Sequence, residues 1–396
     1  MLHPRIAEPQ AGLPTIRLLY LTKGARQFAY GLASVALPVH LAAARLSPIW
    51  LGAFLAVSLL SGAVQMFLAG RVTHRIGVKV VAVSAAVLMG LGGLLTASHV
   101  LWLIGVAALL GTLNAAAQEI GPFLPIEQVT LASGGRGVHR MAVYNAVGTG
   151  CLALGTLAGG ILSFRSAFLL YALCGSAMAI SYAITRFQRS AINNRVSKIR
   201  RFGTAEKLAA LFAVDAFAGG LIVQGFLAFW LVSRYHVPPQ SVGLLLAIGN
   251  VLSALSLFVA AWLGKRFGLL NTMVFTHLPS NVLLALVPFA PSFTIAAILL
   301  LLRYSLSQMD VPTRQAFVVA AVPEDERIYA SGITSAVRPL AAATSPLLAA
   351  FAMQSAAIGA PFFLAGGLKC CYDIAIYMSF RKVNKSSPRD CERTNR

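Results

Sequence analysis

The sequence predicts an all-α integral membrane protein with twelve transmembrane helices in two pseudo-symmetric six-helix bundles. Three observations predict this fold class. Of the 396 residues, 58% are hydrophobic and only 11% are charged, whereas about 25% of the residues of a soluble domain are charged. The apolar residues form runs of about 20 residues, which is the length of a helix that crosses a bilayer. The chain also resembles itself at a shift of about 190 residues.

The apolar runs follow one another along the whole chain. They are rich in Ala, Leu and Gly and lack the alternation of a membrane β-strand, so each is predicted to be a helix. Their bounds are near 18–44, 48–70, 78–96, 100–122, 140–162, 165–185, 207–233, 240–263, 269–290, 292–312, 328–351 and 357–380. The predicted organisation is an N-terminal tail (1–17), a first bundle (18–185), a basic linker (186–206), a second bundle (207–380) and a basic C-terminal tail (381–396).

The internal repeat is visible in two pairs of segments. Gly70-Arg-Val-Thr-His-Arg-Ile-Gly77 matches Ala261-Trp-Leu-Gly-Lys-Arg-Phe-Gly268, and Val143-Tyr-Asn-Ala-Val147 matches Ile333-Thr-Ser-Ala-Val337. Two similar halves of several spans each are typical of a transporter that is built from parallel repeats.

The net charge of +20 does not indicate a nucleic-acid partner, because the basic residues follow the topology. If the N-terminus lies in the cytoplasm, only Arg45, Arg165 and Arg234 of the 32 Lys and Arg residues fall in outer loops. Loops rich in Lys and Arg stay in the cytoplasm. We therefore expect a monomeric multi-pass protein of the cell membrane, surrounded by lipid bilayer, with both termini in the cytoplasm.

The sequence offers no motif for a cofactor, a metal or catalysis. The five cysteines lack paired spacing, and no GxxxxGK[ST] phosphate-binding loop occurs. A membrane-integral enzyme acting on lipid would need a nucleophile, metal ligands or paired acids clustered at one membrane face, and we find no such cluster. A receptor without transport would leave the duplication unexplained. Transport driven by an ion or solute gradient is the favoured interpretation.

The loop between spans two and three resembles the signature of the major facilitator superfamily, Gly-x-x-x-Asp-Arg-x-Gly-Arg-Lys. Gly70, Arg75, Gly77 and Lys79 fit this pattern, and His74 stands in place of the acid. His74 could replace that acid only when protonated. The resemblance extends over the whole chain through the number of spans, the repeat and the central basic linker. It implies a secondary transporter in which two bundles rock about a central cavity, with these five residues in a cytoplasmic gating loop.

Span five resembles a pattern of drug/proton antiporters, Gly-x-x-x-Gly-Pro-x-x-Gly-Gly. The segment Cys151-Leu-Ala-Leu-Gly-Thr-Leu-Ala-Gly-Gly160 keeps three of those glycines and has Thr in place of Pro. Glycines four residues apart also give a flat face on which another helix packs closely. Helix packing is therefore the simpler interpretation, and the resemblance favours export only slightly.

Charged residues inside the spans are the candidates for a substrate site, because each costs at least about 2.5 to 3.5 kcal/mol to insert. In the resembled fold, spans one, four, seven and ten line the cavity. The predicted cavity residues are Lys23, Arg26, Asp215 and Arg303 in those spans and Arg338 in span eleven. The three arginines lie near the middle of their spans, which encourages an organic anion as an alternative substrate.

Three acids are candidates for proton coupling, because a carboxyl group in a low-dielectric site can take up and release a proton near neutral pH. Asp215 is the first choice, as a lone acid in span seven. Glu119 and Asp310 could carry protons, or they could pair with arginines and close a cytoplasmic gate. Lys369 and Asp373 are spaced i, i+4 in span twelve, so we expect them to pair with each other and to have no transport role.

The ends of spans four and ten carry opposite charges at equivalent positions. Pro125-Ile-Glu-Gln128 matches Pro312-Thr-Arg-Gln315, so Glu127 corresponds to Arg314. The two charges could form a weak latch between the halves, or they could be unrelated solvated residues near the lipid headgroups.

The leading functional interpretation is proton-coupled export of a small organic solute by a rocking-bundle secondary transporter. The alternative within transport is an organic-anion uniporter or exchanger. A non-transporting receptor and a membrane-integral enzyme are less favoured, for the reasons given above.

The topology can be tested directly. Single cysteines placed within 187–205 should not react with a membrane-impermeant thiol reagent in intact cells, because the positive-inside distribution puts this linker in the cytoplasm. They should react after the membrane is permeabilised. Labelling of the linker from outside intact cells would overturn the predicted topology.

Overall fold

The computed structural model describes residues 13–111, 113–119, 121–132, 137–185, 187, 203–323, 326–355 and 358–381. The regular structure of this described part is helical, in agreement with the predicted all-α class. In the first half the helices are α1 (Leu13–Ala43), α2 (Pro48–Ile76), α3 (Val78–Ala97), α4 (Leu101–Leu109), α5 (Phe123–Ala132), α6 (Gly137–Ile161) and α7 (Phe164–Ile184). In the second half they are α8 (Thr204–Leu221), α9 (Gln224–Tyr235), α10 (Pro239–Phe267), α11 (Leu269–Leu286), α12 (Phe293–Ser307), α13 (Asp310–Ala321), α14 (Arg327–Ser355) and α15 (Ala360–Phe380).

The described residues form two compact units. Residues 13–37 and 57–185 belong to the first unit, and residues 38–56 and 203–381 belong to the second. The end of α1 and the beginning of α2 thus group with the second half of the chain. A division of the chain at the linker alone does not predict that residues 38–56 group with the second half.

Nine segments of the described chain are long and apolar enough to cross a membrane. They are Pro48–Ala69, Val78–Ala97, Arg140–Ile161, Phe164–Ile184, Thr204–Tyr235, Pro239–Phe267, Leu269–Phe289, Phe293–Val318 and Ala330–Ser355. These segments match nine of the predicted spans. The other three are the first, fourth and twelfth, and the number twelve therefore stays a prediction.

Two of those three are long helices with charged residues inside them. The first predicted span lies in α1, which has 31 residues and contains Lys23 and Arg26. The twelfth lies in α15, which has 21 residues and contains Lys369 and Asp373. Both helices are long enough to cross about 30 Å of hydrocarbon, and their charges lower the apolar content by which a span is recognised.

The fourth predicted span is interrupted. Helix α4 ends at Leu109, and the described residues from there to Phe123 are not helical. Gly111 and Gly121 have φ of 65° and 109°, in the left-handed region that favours glycine. Pro122 also lacks the N–H group that a helix would use. The sequence therefore stops α4 and restarts a helix only at α5.

Helix α2 supplies partners for the carbonyl groups at the end of α4. Ser61 Oγ donates to the carbonyl oxygen of Leu109 at 2.7 Å, and Gln65 Nε2 donates to that of Leu110 at 2.6 Å. A non-helical backbone at membrane depth is tolerated only where the protein satisfies its polar groups. These polar side chains of α2 therefore allow the interruption.

The glycines of span five pack against α1 in the first unit. A Cβ atom at Gly155 would collide with the backbone of Phe28, and one at Gly159 would lie 2.7 Å from the carbonyl oxygen of Leu32. The backbones of α1 and α6 are therefore in close contact. This contact accounts for the glycine pattern without a proton-antiport role.

A substitution in α6 tests this contact. Gly155→Ala should lower the thermal unfolding midpoint of the detergent-purified protein, since overpacking costs about 1–3 kcal/mol. Gly150→Ala is the matched control on the same helix, because a Cβ atom there meets nothing within 4 Å. Equal midpoints for the two variants would contradict the close approach of α1 and α6.

Candidate functional site

A buried cluster in the first unit is centred on the carboxylate of Glu127 in α5, which is 0% exposed. Arg26 Nη2 of α1 donates to Glu127 Oε2 at 2.8 Å. Tyr144 Oη of α6 donates to the same oxygen at 2.5 Å, and Tyr182 Oη of α7 donates to Oε1 at 2.6 Å. Thr22 Oγ1 of α1 also donates to Oε1, at 2.8 Å. One carboxylate therefore ties together α1, α5, α6 and α7.

Glu119 lies beside this cluster, on the non-helical segment between α4 and α5. Its Oε1 is 2.9 Å from Lys23 Nζ and 3.5 Å from Arg26 Nη2, and it also accepts a hydrogen bond from Gln27. Its Oε2 is buried without a hydrogen-bond partner among the described residues. The side chain as a whole is 25% exposed. Glu119 thus neutralises Lys23 and Arg26 of α1 with one oxygen, while its other oxygen is buried without a partner among the described residues.

A second cluster, in the second unit, is centred on Asp215 of α8, which is 2% exposed. Lys369 Nζ of α15 lies 2.6 Å from Asp215 Oδ1, and Arg338 Nη1 of α14 lies 2.9 Å from Oδ2. Arg314 Nη1 of α13 is 3.3 Å from Oδ2 and also pairs with Asp310 one turn away. Asp215 is therefore not an isolated carboxyl group, since basic residues from three helices converge on it.

The predicted ion pair within α15 is wrong. Lys369 pairs with Asp215, as described above, while Asp373 binds two polar residues of α11. His277 Nδ1 is 2.9 Å from Asp373 Oδ1, and Asn281 Nδ2 donates to Oδ2 at 2.8 Å. The other ring nitrogen of His277 lies 3.9 Å from Asp215 Oδ1. Spacing of i, i+4 allowed a pair within the helix, but neighbouring helices offered better partners to both residues.

Each cluster is electrically balanced. In the first, Lys23 and Arg26 face Glu119 and Glu127. In the second, when His277 is neutral, three bases face three acids, namely Arg314, Arg338 and Lys369 against Asp215, Asp310 and Asp373. This balance is expected where charges are removed from water.

The predicted latch residues lie deeper than expected. Glu127 and Arg314 are 0% and 7% exposed, and each is bound within its own unit. The expectation that they are exposed charges near the headgroups is therefore wrong.

Arg303 of α12 stands apart from the second cluster. Its Nε is buried without a partner among the described residues, and its guanidinium lies 5.6 Å from the ring centroid of Tyr304.

The loop with the family signature links α2 to α3. Gly77 joins the two helices with φ of 90°, and Arg75 and Lys79 are exposed on either side of it. Gly70 lies in the last part of α2. His74 lies in the same helix, but its side chain is outside the described residues. The predicted gating role of these five residues stays a prediction.

Sequence reasoning missed the uncharged partners of both clusters. Tyr144, Tyr182, His277 and Asn281 are polar residues within apolar spans, and each is at most 3% exposed. Their position within spans was the available signal, because a buried polar group needs a partner. Their assignment to particular carboxylates depends on how the helices pack.

A small cleft opens in the second unit between α8, α13 and α14. Its volume is about 120 Å³, and Arg314 and Arg338 both line it. The cleft therefore meets the second cluster at its arginine side.

Comparison with known proteins agrees with this architecture. Residues 208–392 match the model of a family described as Major Facilitator Superfamily. An uncharacterized membrane protein of Saccharomyces cerevisiae, YJR124C, is 21% identical, with 96% of each chain covered. The nucleoside transporter NupG has a TM-score of 0.71 at 12% identity, covering 92% of this chain and 99% of that one. A D-xylose-proton symporter has a TM-score of 0.70 at 14% identity, covering 91% and 96%.

The helical fold and the apolar spans define a multi-pass membrane protein, and the solved structures show that it has the fold of solute transporters. The match to the major facilitator superfamily covers residues 208–392, in the second half of the chain. The solved structures share too little sequence with it to show more than the fold.

Replacement of the central acid tests the second cluster. Asp215→Asn should lower the thermal unfolding midpoint of the detergent-purified protein markedly, because it leaves Lys369 and Arg338 without their counter-charge. Loss of one partner of a buried ion pair costs about 3–5 kcal/mol. Lys207→Gln, an exposed charge on the same helix, is the control. An unchanged midpoint in Asp215→Asn would show that the cluster does not stabilise the fold.

Proposed function

We propose that the protein is a secondary active transporter that exports a small organic solute in exchange for protons, with alternating access produced by rocking of its two halves. The observation that carries this proposal is the environment of Glu119. A coupling carboxyl group must be reachable by water and must bind a proton without disrupting the fold. Glu119 meets both requirements better than the other acids of the two clusters.

Accessibility separates Glu119 from those acids. Its side chain is 25% exposed, whereas Asp215, Glu127, Asp310 and Asp373 are at most 4% exposed. Protonation of any of those four would also weaken hydrogen bonds or ion pairs that hold several helices together. Glu119 lies on a non-helical segment, so its side chain can move without breaking a helix.

The unpartnered oxygen of Glu119 gives the proton a place to bind. Oε2 accepts no hydrogen bond among the described residues, and an unsatisfied buried acceptor is costly. A proton on Oε2 removes the negative charge and turns this oxygen into a donor. Lys23 and Arg26 then face a single acid, Glu127, and the excess positive charge favours return of the proton to water.

Exchange follows if the proton and the solute compete for the same group. An ionised Glu119 can accept a strong hydrogen bond from the solute, whereas protonation makes Oε2 a donor and a weaker acceptor. Each cycle would then carry a proton in one direction and a solute in the other. The family resemblance in span five is compatible with export but does not carry the argument.

The test separates proton coupling from the conformational change of alternating access. A solute is first identified by a thermal-shift screen of a solute library, and transport is then measured in proteoliposomes. Glu119→Gln should abolish accumulation driven by a pH gradient and retain solute counterflow, because the amide cannot take up or release a proton but keeps an oxygen that accepts a hydrogen bond from the solute. Glu127→Gln is the matched comparison and should impair folding, since Arg26 loses its 2.8 Å partner. An unaltered dependence on the pH gradient in Glu119→Gln would overturn the coupling role.

Anion exchange is the second candidate function. The two arginines that line the cleft of the second unit favour it. In that case an opposing anion, instead of a pH gradient, would drive transport in the same proteoliposomes.

A further inference from the structure

The cleft of the second unit is lined by cations and neutral donors. Its polar lining includes Arg314 and Gln315 of α13 and Ser331, Ser335 and Arg338 of α14. The three residues of α14 are spaced i, i+4 and i+7, so they share one face of that helix. No acidic residue is among those that line the cleft in the described chain. The surface of the cleft is therefore suited to an anion.

The acids of the second cluster lie behind this surface and orient the arginines. Asp215 accepts from Nη1 of Arg338 at 2.9 Å, while the side chain of Arg338 is still 29% exposed. Asp310 and Asp215 hold Arg314 in the same way. A guanidinium group has five N–H donors, so one bond to a carboxylate leaves others for a ligand. Arginine held in a fixed orientation binds the two oxygens of a carboxylate or phosphate side by side.

The remaining wall of the cleft is apolar. Phe212 of α8 and Val318 of α13 line it, and the guanidinium of Arg314 lies 5.7 Å from the ring centroid of Phe212. The volume of about 120 Å³ is below the range of about 300–1,000 Å³ that is typical of sites for whole drug-sized ligands. The cleft therefore has room for a charged headgroup, and Phe212 and Val318, which are 1% and 4% exposed, close its floor.

We infer that this cleft binds the oxyanion headgroup, a carboxylate or a phosphate, of a small solute. The inference deepens the proposed function, on which the identity of the ligand as the transported solute rests. Arg338 and Arg314 bind the headgroup, and Ser331, Ser335 and Gln315 donate hydrogen bonds to it.

Binding is measured with defined probes on the purified full-length protein. The protein is placed in nanodiscs of zwitterionic lipid, and benzoate, phenyl phosphate and neutral benzamide are titrated by calorimetry. Benzoate and phenyl phosphate should bind at least about tenfold more tightly than benzamide, which corresponds to about 1.4 kcal/mol. Equal binding of benzoate and benzamide would overturn the inference.

Variants locate the binding in the cleft. Arg338→Gln should weaken benzoate binding by about tenfold or more, and Ser335→Ala by a few fold, in line with one lost charged and one lost neutral hydrogen bond. Ser335→Ala leaves the contacts of Asp215 intact, so it keeps the test valid if Arg338→Gln fails to fold. Arg266→Gln, at an exposed position near the end of α10, is the control and should bind benzoate as the parent protein does. Unchanged binding in a folded Arg338→Gln or in Ser335→Ala would overturn the inference.

A membrane phospholipid could supply the same oxyanion, and a further arm distinguishes this source. Benzoate affinity should be the same when the nanodiscs contain anionic phospholipid. Competitive loss of benzoate binding in anionic nanodiscs would assign the cleft to lipid phosphate and overturn the solute assignment. Benzoate binding to the parent protein is measured without a pH gradient, so failure of the proton-coupling proposal is distinguishable from failure of this one.

Discussion

The structure depends on one constraint: inside a bilayer, every charge and every peptide group must find its partner within the protein. The two ionic clusters satisfy this constraint for side chains, since each carboxylate at their centres is bound from several helices. The polar side chains of α2 satisfy it for the backbone at the end of α4. Ion pairs and hydrogen bonds of the kind found on the surface of a soluble protein therefore determine here which helices pack together.

The two clusters are related by the internal repeat, but with the signs of the charges exchanged. Glu127 and Arg314 occupy equivalent positions, and each binds a residue on the first helix of its own half. In the first unit that residue is Arg26, at 2.8 Å, and in the second it is Asp215, at 3.3 Å. The duplicated halves thus share an ion pair between corresponding helices while base and acid have changed places. The repeat therefore keeps the position of this ion pair and reverses its polarity.

The sequence alone predicted the fold class and most of the charged residues of the clusters, because span length, hydropathy and charge placement depend on the bilayer and not on packing. Lys23 and Arg26 share a face as their spacing predicts, and both contact Glu119. The ion-pair partner of each charged residue was less predictable. Lys369 turned from its neighbour Asp373 to a residue 154 positions away, and only the packing of α8 against α15 determines that choice. The interruption after α4 had a signal in Gly111 and Pro122, but hydropathy counted the segment as one span.

The charge balance of the clusters has a consequence for energetics in an energised membrane. Moving one elementary charge across the whole field requires about 2.3 kcal/mol per 100 mV. Groups that sum to zero charge, as those of each cluster do while His277 is neutral, contribute almost no net electrical work when they move together. The membrane potential therefore does almost no net electrical work on these groups while neither proton nor solute is bound. In the proposed exchange, the potential would act on the charge that a proton or an anionic headgroup adds to a neutral cluster.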